Sequence, residues 1–404
     1  MKKNNCKMTV GKWIVDKVNT KAWRAGKVTG YKHYGYGLKT SANGNDPIHD
    51  MMEAVGGRAD FIRQVSELEQ AGLITVTRKN VNTEIKEITV AIEDIDRLCT
   101  YEGVPNERKL IEEKKCYLLG QLQNTDCKWL MAYEQDLYCQ LENGILEKNI
   151  EDENIFRLLN AITGLECDIW KRKFSSDVLH ASKKFEKEYE NKIITILRKY
   201  SPKADDSMTD DEVLLEHGIV TYSQTLQFKG SIMYDVGSGA IDTTTQIYGT
   251  VLNAQSLSHI KLISLKSTRR IITIENQANY EQMQFDSDVL YIYTHGFFSP
   301  KERRFLEQIE AMADASTEFF HWSDLDYGGI RIYQFIQQNI FKRVKPYMMD
   351  KTAYEKARKL GEGFELEKTK REKLEKLQCD ELEELKSCIL KYGREYEQEI
   401  LLDR

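Results

Sequence analysis

The sequence has few of the features that mark membrane, secreted and zinc-binding proteins. It contains five prolines, and its eight cysteines are scattered with no C-x-x-C pair. This spacing argues against a zinc site and against a disulfide framework, and it fits a reducing cytoplasm. No apolar run approaches the roughly 18 residues that a membrane-spanning helix needs, and no apolar stretch follows the polar start at Met1. We therefore expect a cytoplasmic protein without a signal peptide.

An excess of positive charge is also missing. Among 404 residues, 58 Lys and Arg stand against 64 Asp and Glu, and the net charge of −6 argues against an indiscriminate polycation. The charge is uneven, because residues 1–40 hold ten Lys or Arg and one acid, Asp16. That local excess is a plausible phosphate-facing patch. The chain length predicts two or three domains, and the 30% charged content indicates long solvated helices.

An alternation of short apolar runs and helical patterns lies between residues 271 and 340. Apolar runs at 271–274, 289–293 and 317–322 have the length and composition of strands. A helical pattern begins at Pro300, and another follows Tyr327-Gly328-Gly329. Strands that alternate with helices predict a parallel sheet with right-handed crossovers, in an α/β domain.

Polar side chains follow all three predicted strands: Glu275, His295, and the pair Asp324 and Asp326. The carboxyl ends of parallel strands meet at one edge of a sheet, where such folds bind their ligands. Three carboxylates at one edge repel each other, so we expect a cation between them. Oxygen ligands without a nearby cysteine favour Mg²⁺ or Mn²⁺. Glu275 could alternatively serve as a general base.

Simpler interpretations remain open for each of these residues. An Asp-x-Asp before a helix is often a turn followed by an N-cap, and a lone histidine is more often a structural residue that is hydrogen-bonded. The combination at three strand ends favours a site over these alternatives. His295 is therefore predicted only as a possible auxiliary residue, which would orient water or a phosphate.

The residues at these strand ends also carry a family resemblance. Glu275 and the Asp324-Leu325-Asp326 motif with Gly328 behind it resemble the TOPRIM domain of topoisomerase VI A subunits. The sequence more closely resembles the JetD family of Wadjet systems, in the segments Ile274-Glu275-Asn276, His295-Gly296-Phe297, Asp324-Leu325-Asp326-Tyr327-Gly328 and Glu397-Gln398-Glu399. The resemblance extends from about residue 174 to the C-terminus. It implies the nuclease subunit of an anti-plasmid defence system that acts beside an SMC-type, condensin-like complex.

Residues 1–103 are predicted to form a winged-helix-like DNA-binding domain. Helical patterns are followed by a hairpin pattern, 73–77 and 85–92, that suits a wing. The candidate phosphate contacts of this domain are Arg58, Arg63, Arg78 and Lys79. The alternative is a protein-binding winged helix with ordinary surface charges.

Residues 104–200 are predicted to be a helical arm or linker, and 201–404 a TOPRIM domain with a Rossmann-like parallel sheet and charged C-terminal helices. Arg269 and Arg270, just before the first strand of that sheet, are further candidates for DNA contact. The arm could contact another subunit or the SMC partner, or it could be helical core. Glu397 and Glu399 resemble the family's ending, and whether they reach the site is open.

The acidic residues and the family resemblance together predict a Mg²⁺- or Mn²⁺-dependent DNA endonuclease, and the resemblance implies that its substrate is double-stranded plasmid DNA. Glu275, Asp324 and Asp326 would be both the catalytic residues and the metal ligands, and the resemblance implies a homodimer. One alternative is a topoisomerase-like transesterase that uses Tyr31, Tyr34 or Tyr36, for which no arginine–tyrosine signature is present. Another is a non-catalytic winged-helix accessory of an SMC complex.

Overall fold

A computed structural model describes residues 8–35, 46–79 and 84–402. The fold is mixed α/β, and the chain divides into two compact units, Met1–Asn160 and Ala161–Arg404. The three-part division at 103 and 200 stays a prediction. Among the described residues, no helix combines the length and the apolar character that crossing a membrane requires.

The first unit consists of helices and one small antiparallel sheet. Its elements are α1 Val10–Val18, α2 Lys21–Arg24, β1 Tyr31–Gly35, α3 Pro47–Val55, α4 Arg58–Gln70, β2 Thr75–Lys79, β3 Glu84–Ala91, α5 Ile95–Glu102, α6 Glu107–Asn124 and α7 Lys128–Glu142. The next helix, α8 Glu153–Thr163, contains the division point between the units.

The predicted hairpin at 73–92 forms, because β2 and β3 pair in antiparallel register. Of the turn predicted at residues 79–82, only Lys79, the last residue of β2, lies within the described residues. β1 also pairs with β3 and makes a sheet of three strands, which the sequence patterns did not indicate. The apolar faces of α1, α3, α4 and α5 enclose one core with this sheet, including Ile14, Met51, Val65, Ile88 and Leu98. Helices with a three-stranded antiparallel sheet are compatible with the winged-helix prediction, which stays a prediction.

The second unit contains the larger sheet. Up to the first central strand its elements are β4 Ile169–Trp170, α9 Lys171–Leu179, α10 Glu190–Tyr200, α11 Asp210–Glu216, β5 Ile219–Val220, β6 Thr225–Lys229, β7 Met233–Asp235, β8 Ala240–Asp242, β9 Thr250–Asn253, α12 Ala254–His259 and β10 Lys261–Ser264. A tight turn at residues 237–239 connects β7 and β8. Asp235 Oδ1 accepts hydrogen bonds from the backbone N–H groups of all three turn residues. This G-x-G is therefore the turn of a β-hairpin.

The remaining elements form the sheet core and the C-terminal helices. They are β11 Arg270–Ile274, α13 Gln277–Gln282, β12 Val289–Tyr293, α14 Pro300–Met312, β13 Glu318–Trp322, α15 Tyr327–Asn339, β14 Val344–Pro346, α16 Lys351–Leu360, β15 Phe364–Glu365, α17 Lys368–Lys376, α18 Glu383–Tyr392 and β16 Arg394–Glu395.

The central sheet is mixed rather than wholly parallel. Its order is β14-β13-β11-β12-β6-β9. The first four strands are parallel, β6 runs antiparallel to β12, and β9 runs antiparallel to β6. Both faces of β11 are buried, because Ile271 and Ile274 point to opposite faces and both are fully buried. Leu290 of β12 is fully buried as well, which is typical of parallel strands. α14 begins where predicted, with Pro300 at its first position and a capping box between Ser299 and Glu302.

Candidate functional site

Strand register brings the predicted carboxylates to one edge of the sheet. Ile274, the last residue of β11, lies opposite Trp322 at the end of β13. The backbone N–H of the next residue, Glu275, donates to the Trp322 carbonyl over 3.0 Å. The Glu275 carboxylate turns toward the Asp-x-Asp loop, where its Oε2 accepts a hydrogen bond of 3.3 Å from the Asp324 N–H. Glu275 and Asp324 are therefore direct neighbours.

Asp326 is placed at the start of α15. Its Oδ1 accepts a hydrogen bond of 2.7 Å from the Gly329 N–H, so the N-cap interpretation of this aspartate is also correct. Gly329 lies so close to the loop that a Cβ there would be 2.2 Å from the Asp324 carbonyl oxygen. The second glycine of the pair thus allows the helix start to pack against the loop that carries both aspartates.

The C-terminal segment pairs with this loop. Leu325 and Tyr396 exchange backbone hydrogen bonds of 2.8 and 3.3 Å, which form a short antiparallel bridge. Beyond it, the backbone N–H of Gln398 donates to Asp324 Oδ1 over 2.7 Å. The Gln398 side chain, which is fully buried, accepts a hydrogen bond of 3.2 Å from the N–H of Asn276, next to Glu275. The chain ending is therefore a structural part of the site.

Two charged residues at the site were not predicted. Glu395, from β16, is buried, and its Oε1 accepts a hydrogen bond of 3.2 Å from the Tyr327 N–H. Lys370, from α17, contacts Glu395 Oε2 at 3.1 Å and Asp326 Oδ2 at 3.8 Å. The resemblance of the chain ending pointed toward this region. The sequence held no signal for Lys370, which lies within a run of charged helical residues.

Burial and mutual repulsion raise the pKa values of the acidic groups. Burial, with the charges of Asp324 and Asp326, raises the pKa of Glu275 to about 8. Burial and neighbouring carboxylates raise the pKa of Asp324 to about 7, and Glu397 and Glu399 are among those neighbours. The pKa of Asp326 is raised by burial and by Glu395. The cluster holds more negative charge than one lysine can neutralise.

The donor chemistry fits a hard divalent cation. Glu275 Oε1 and Asp324 Oδ2 accept no hydrogen bond from any described residue, so both are available as ligands. As the side chains stand, however, residues 8–35, 46–79 and 84–402 contain no group of three acidic, His or Cys side chains arranged to hold a metal ion. The carboxylates would have to reorient to share one cation.

His295 lies at the same sheet edge but faces another partner. Its backbone is left-handed, with φ of 48°. Its Nε2 is 3.0 Å from Oε1 of Glu302, a fully buried residue in the first turn of α14. Burial opposes the charged imidazolium, but the Glu302 and Glu212 carboxylates outweigh this and raise the pKa of His295. Among the described residues, no hydrogen bond joins His295 to the three carboxylates, and its auxiliary role stays a prediction.

The predicted DNA contacts are spread over both units. Arg269 and Arg270 are exposed, but they lie at the amino end of β11, across the sheet from Glu275. Arg63 pairs with Asp60 at 3.1 Å and with Glu67 at 2.8 Å, and Arg78 pairs with Glu69 at 3.0 Å. The other two candidates, Arg58 and Lys79, are exposed.

The tyrosines of the basic N-terminal stretch differ in their exposure to solvent. Tyr34 is 1% exposed, and its ring packs edge-on against Trp13 with 5.4 Å between the centroids. Burial raises the pKa of its hydroxyl, which disfavours the phenolate that an attack on DNA needs. Tyr31 is 67% exposed, and Tyr36 lies outside the described residues. Tyr34 is therefore a packed core residue.

Comparison with known proteins connects this geometry to a family. The model of the family described as "Wadjet protein JetD, C-terminal" matches residues 241–403, which include the whole acidic cluster. The Wadjet protein JetD of Bacillus cereus (strain Q1) is 29% identical over 286 residues, an alignment that covers 68% of this chain and 69% of that protein.

Proposed function

Because this chain belongs to the JetD family of Wadjet proteins, we propose that it is the DNA endonuclease of a Wadjet defence system. The observation that carries the proposal is the juxtaposition of Glu275 with Asp324 and Asp326 at the carboxyl edge of the parallel strands. A cluster of half-buried carboxylates at this position suits phosphodiester hydrolysis with a divalent cation.

Glu275, Asp324 and Asp326 would hold Mg²⁺ or Mn²⁺. When bound, such a cation lowers the pKa of a coordinated water and neutralises charge on the scissile phosphate. The protein's part is to orient the ligands. The Asp324 N–H holds Glu275, the Gln398 N–H holds Asp324, and the Gly329 N–H holds Asp326. Each carboxylate thereby keeps one oxygen fixed on the backbone.

The proposal includes the partners that the family resemblance implies. The substrate is double-stranded plasmid DNA, and the partner is the SMC-type complex, which would gate cleavage because an ungated nuclease would attack the host chromosome. The N-terminal helices and sheet would contact the DNA backbone as a winged helix. Cutting both strands needs two active sites, so a homodimer is part of the proposal.

A plasmid-cleavage assay tests the function. Wild type, Asp324→Ala and the control Asp314→Ala are incubated with supercoiled circles in Mg²⁺ or Mn²⁺, with and without the SMC-type partner. Asp314 is an exposed aspartate before β13, at the opposite end of that strand from the site. We expect nicked or linear DNA from wild type and the control, and at least about a hundredfold less from Asp324→Ala.

The products also separate the alternatives. Gel mobility that is unchanged by protease supports hydrolysis, whereas a protease-dependent shift indicates a covalent tyrosine intermediate. Equal cleavage by wild type and Asp324→Ala would show that the acidic cluster takes no part in the reaction. DNA binding without cleavage under every condition would favour the non-catalytic accessory.

A further inference from the structure

A positively charged groove shares α17 and β16 with the acidic cluster. It is a cavity of about 500 Å³ between α17 and the strands β15 and β16. Its lining includes three cationic side chains, Lys368, Arg371 and Arg394, and one acidic side chain, Glu365. In a chain with a net charge of −6, this local excess of positive charge needs an explanation.

The cations of the groove are available to an anionic ligand. Lys368 and Arg394 are exposed, and within the described part of the chain neither forms an ion pair. Arg371 is held in place, because its Nη1 donates to the Leu390 carbonyl over 3.1 Å. Lys368 is also the first residue of α17, a helix of nine residues. The side chain of its N-cap residue, Glu367, accepts no hydrogen bond from the backbone N–H groups of the first turn. Free N–H groups at a helix start favour a phosphate.

The groove and the acidic cluster are built from the same elements. Arg394 lines the groove, and the next residue, Glu395, contacts the Tyr327 N–H at the start of α15. Lys368 and Arg371 line the groove, and Lys370 between them contacts Glu395 and Asp326. The groove therefore places fixed positive charge on α17 and β16, the two elements that also contact the start of α15 and Asp326.

We propose that this groove binds the phosphodiester backbone of the DNA strand that enters the acidic site. The inference rests on the proposed nuclease function and names the surface that function would use. The carboxylate cluster repels DNA, so a strand needs fixed positive charge beside it to remain close. Three cations from two separate elements suit a chain of phosphates, and the exposed Lys368 and Arg394 would each contact one.

A binding experiment without metal tests the groove independently of cleavage. A fluorescent DNA duplex is titrated with full-length protein in EDTA at several KCl concentrations, and anisotropy gives the affinity. The variant is the double substitution Lys368→Ala with Arg394→Ala. Its matched control is Lys261→Ala with Lys342→Ala, two exposed lysines outside the groove. Thermal unfolding of every variant checks folding, and Lys368→Gln with Arg394→Gln serves as a second, more conservative pair.

We expect the groove variant to bind about tenfold more weakly near physiological salt. The plot of log affinity against log salt should become less steep, with the magnitude of its slope smaller by about 2, because two phosphate contacts are lost. The control pair should keep the wild-type slope. A groove variant with the wild-type affinity and slope, or an equal loss in the control pair, would overturn the proposal.

The outcome for the groove is distinguishable from the outcome for the nuclease. If wild type cleaves DNA and the groove variant both binds and cleaves as wild type does, the proposed role of the groove is wrong and the proposed nuclease function is supported. If none of the proteins cleaves DNA but the groove variant alone loses DNA binding, the groove binds DNA and the proposed nuclease function is wrong.

Discussion

Lys370 lies beside Asp326, one of the three proposed metal ligands. Its ammonium lies 3.8 Å from Asp326 Oδ2 and 3.1 Å from Glu395 Oε2. Asp326 Oδ1 is already bound to the Gly329 N–H, so Oδ2 is the oxygen left for a metal. A tethered ammonium and a divalent cation would compete for it, because both are attracted to the same charge.

Replacing Lys370 with Met should therefore strengthen metal binding. We expect Lys370→Met to raise the affinity for Mn²⁺ by about three- to tenfold, since a positive charge beside the ligands is removed. Isothermal titration calorimetry measures this, with Lys373→Met as the control because Lys373 pairs instead with Asp206 at 2.8 Å. A weaker affinity in Lys370→Met would show that the lysine supports the metal site rather than competing for it.

Glu134, on α7, gives a prediction about stability that is independent of the site. It is fully buried, and neither carboxylate oxygen has a hydrogen-bond partner among the described residues. Burial raises its pKa to about 7 from the ordinary value of 4.5. The folded protein then binds a proton that the unfolded chain releases, so stability falls as pH rises from about 4.5 to about 7.

Glu134→Gln should remove this pH-dependent loss. We expect the variant to unfold at a higher temperature than wild type at pH 8, where the buried charge costs about 3 kcal/mol. At pH 5 the difference should be small, because wild-type Glu134 is then protonated in the folded state. Thermal melts of both proteins at the two pH values check the prediction, and an equal difference at both would contradict it.

At the scale of elements, the junction between β13 and α15 determines the geometry of the proposed site. A Cβ on Gly329 would approach the Asp324 carbonyl oxygen to 2.2 Å, whereas a Cβ on Gly328 would meet only the Asp326 side chain, whose nearest atom is 3.3 Å away. Two adjacent glycines, both in the first turn of the same helix, thus differ sharply in the space around them.

Alanine substitutions at the two glycines should therefore have different effects. Gly329→Ala should lower the free energy of unfolding by about 3 kcal/mol, because the helix start must move away from the loop. Gly328→Ala should change it by less than about 1 kcal/mol, since the better helix propensity of alanine offsets the tighter contact. Chemical denaturation of both variants beside wild type measures this. Similar losses in the two would show that the junction is tight at both positions.

The same junction shows what the sequence could and could not predict. Three strands and the helices after the second and third of them were predicted because apolar runs and helical periodicity are local patterns. The meeting of Glu275 with Asp324 followed from the rule for parallel strands. Glu395 and Gln398 reach the site through a bridge between residues about seventy positions apart, Leu325 and Tyr396, and no local pattern encodes that pairing. The antiparallel strands β6 and β9 likewise join the sheet through contacts that are not local.

At the scale of the whole molecule, the proposed homodimer can be tested by mixing subunits. The acidic cluster lies within one compact unit of one chain, so each chain would cut one strand. A dimer with one inactive subunit should nick plasmid DNA without linearising it. A monomer that cuts both strands in succession would not show this behaviour.

Wild type and Asp324→Ala are co-expressed in equal amounts so that the chains assort at random, and early products are quantified beside unmixed wild type. If the protein cuts as a dimer, linear DNA should fall to about one quarter of the wild-type yield and nicked DNA should rise, because about half of the dimers carry one active site. Mixing with Asp314→Ala instead should leave the products unchanged. If linear DNA falls only in proportion to the wild-type fraction, the active unit is a single chain, and one site must then cut both strands.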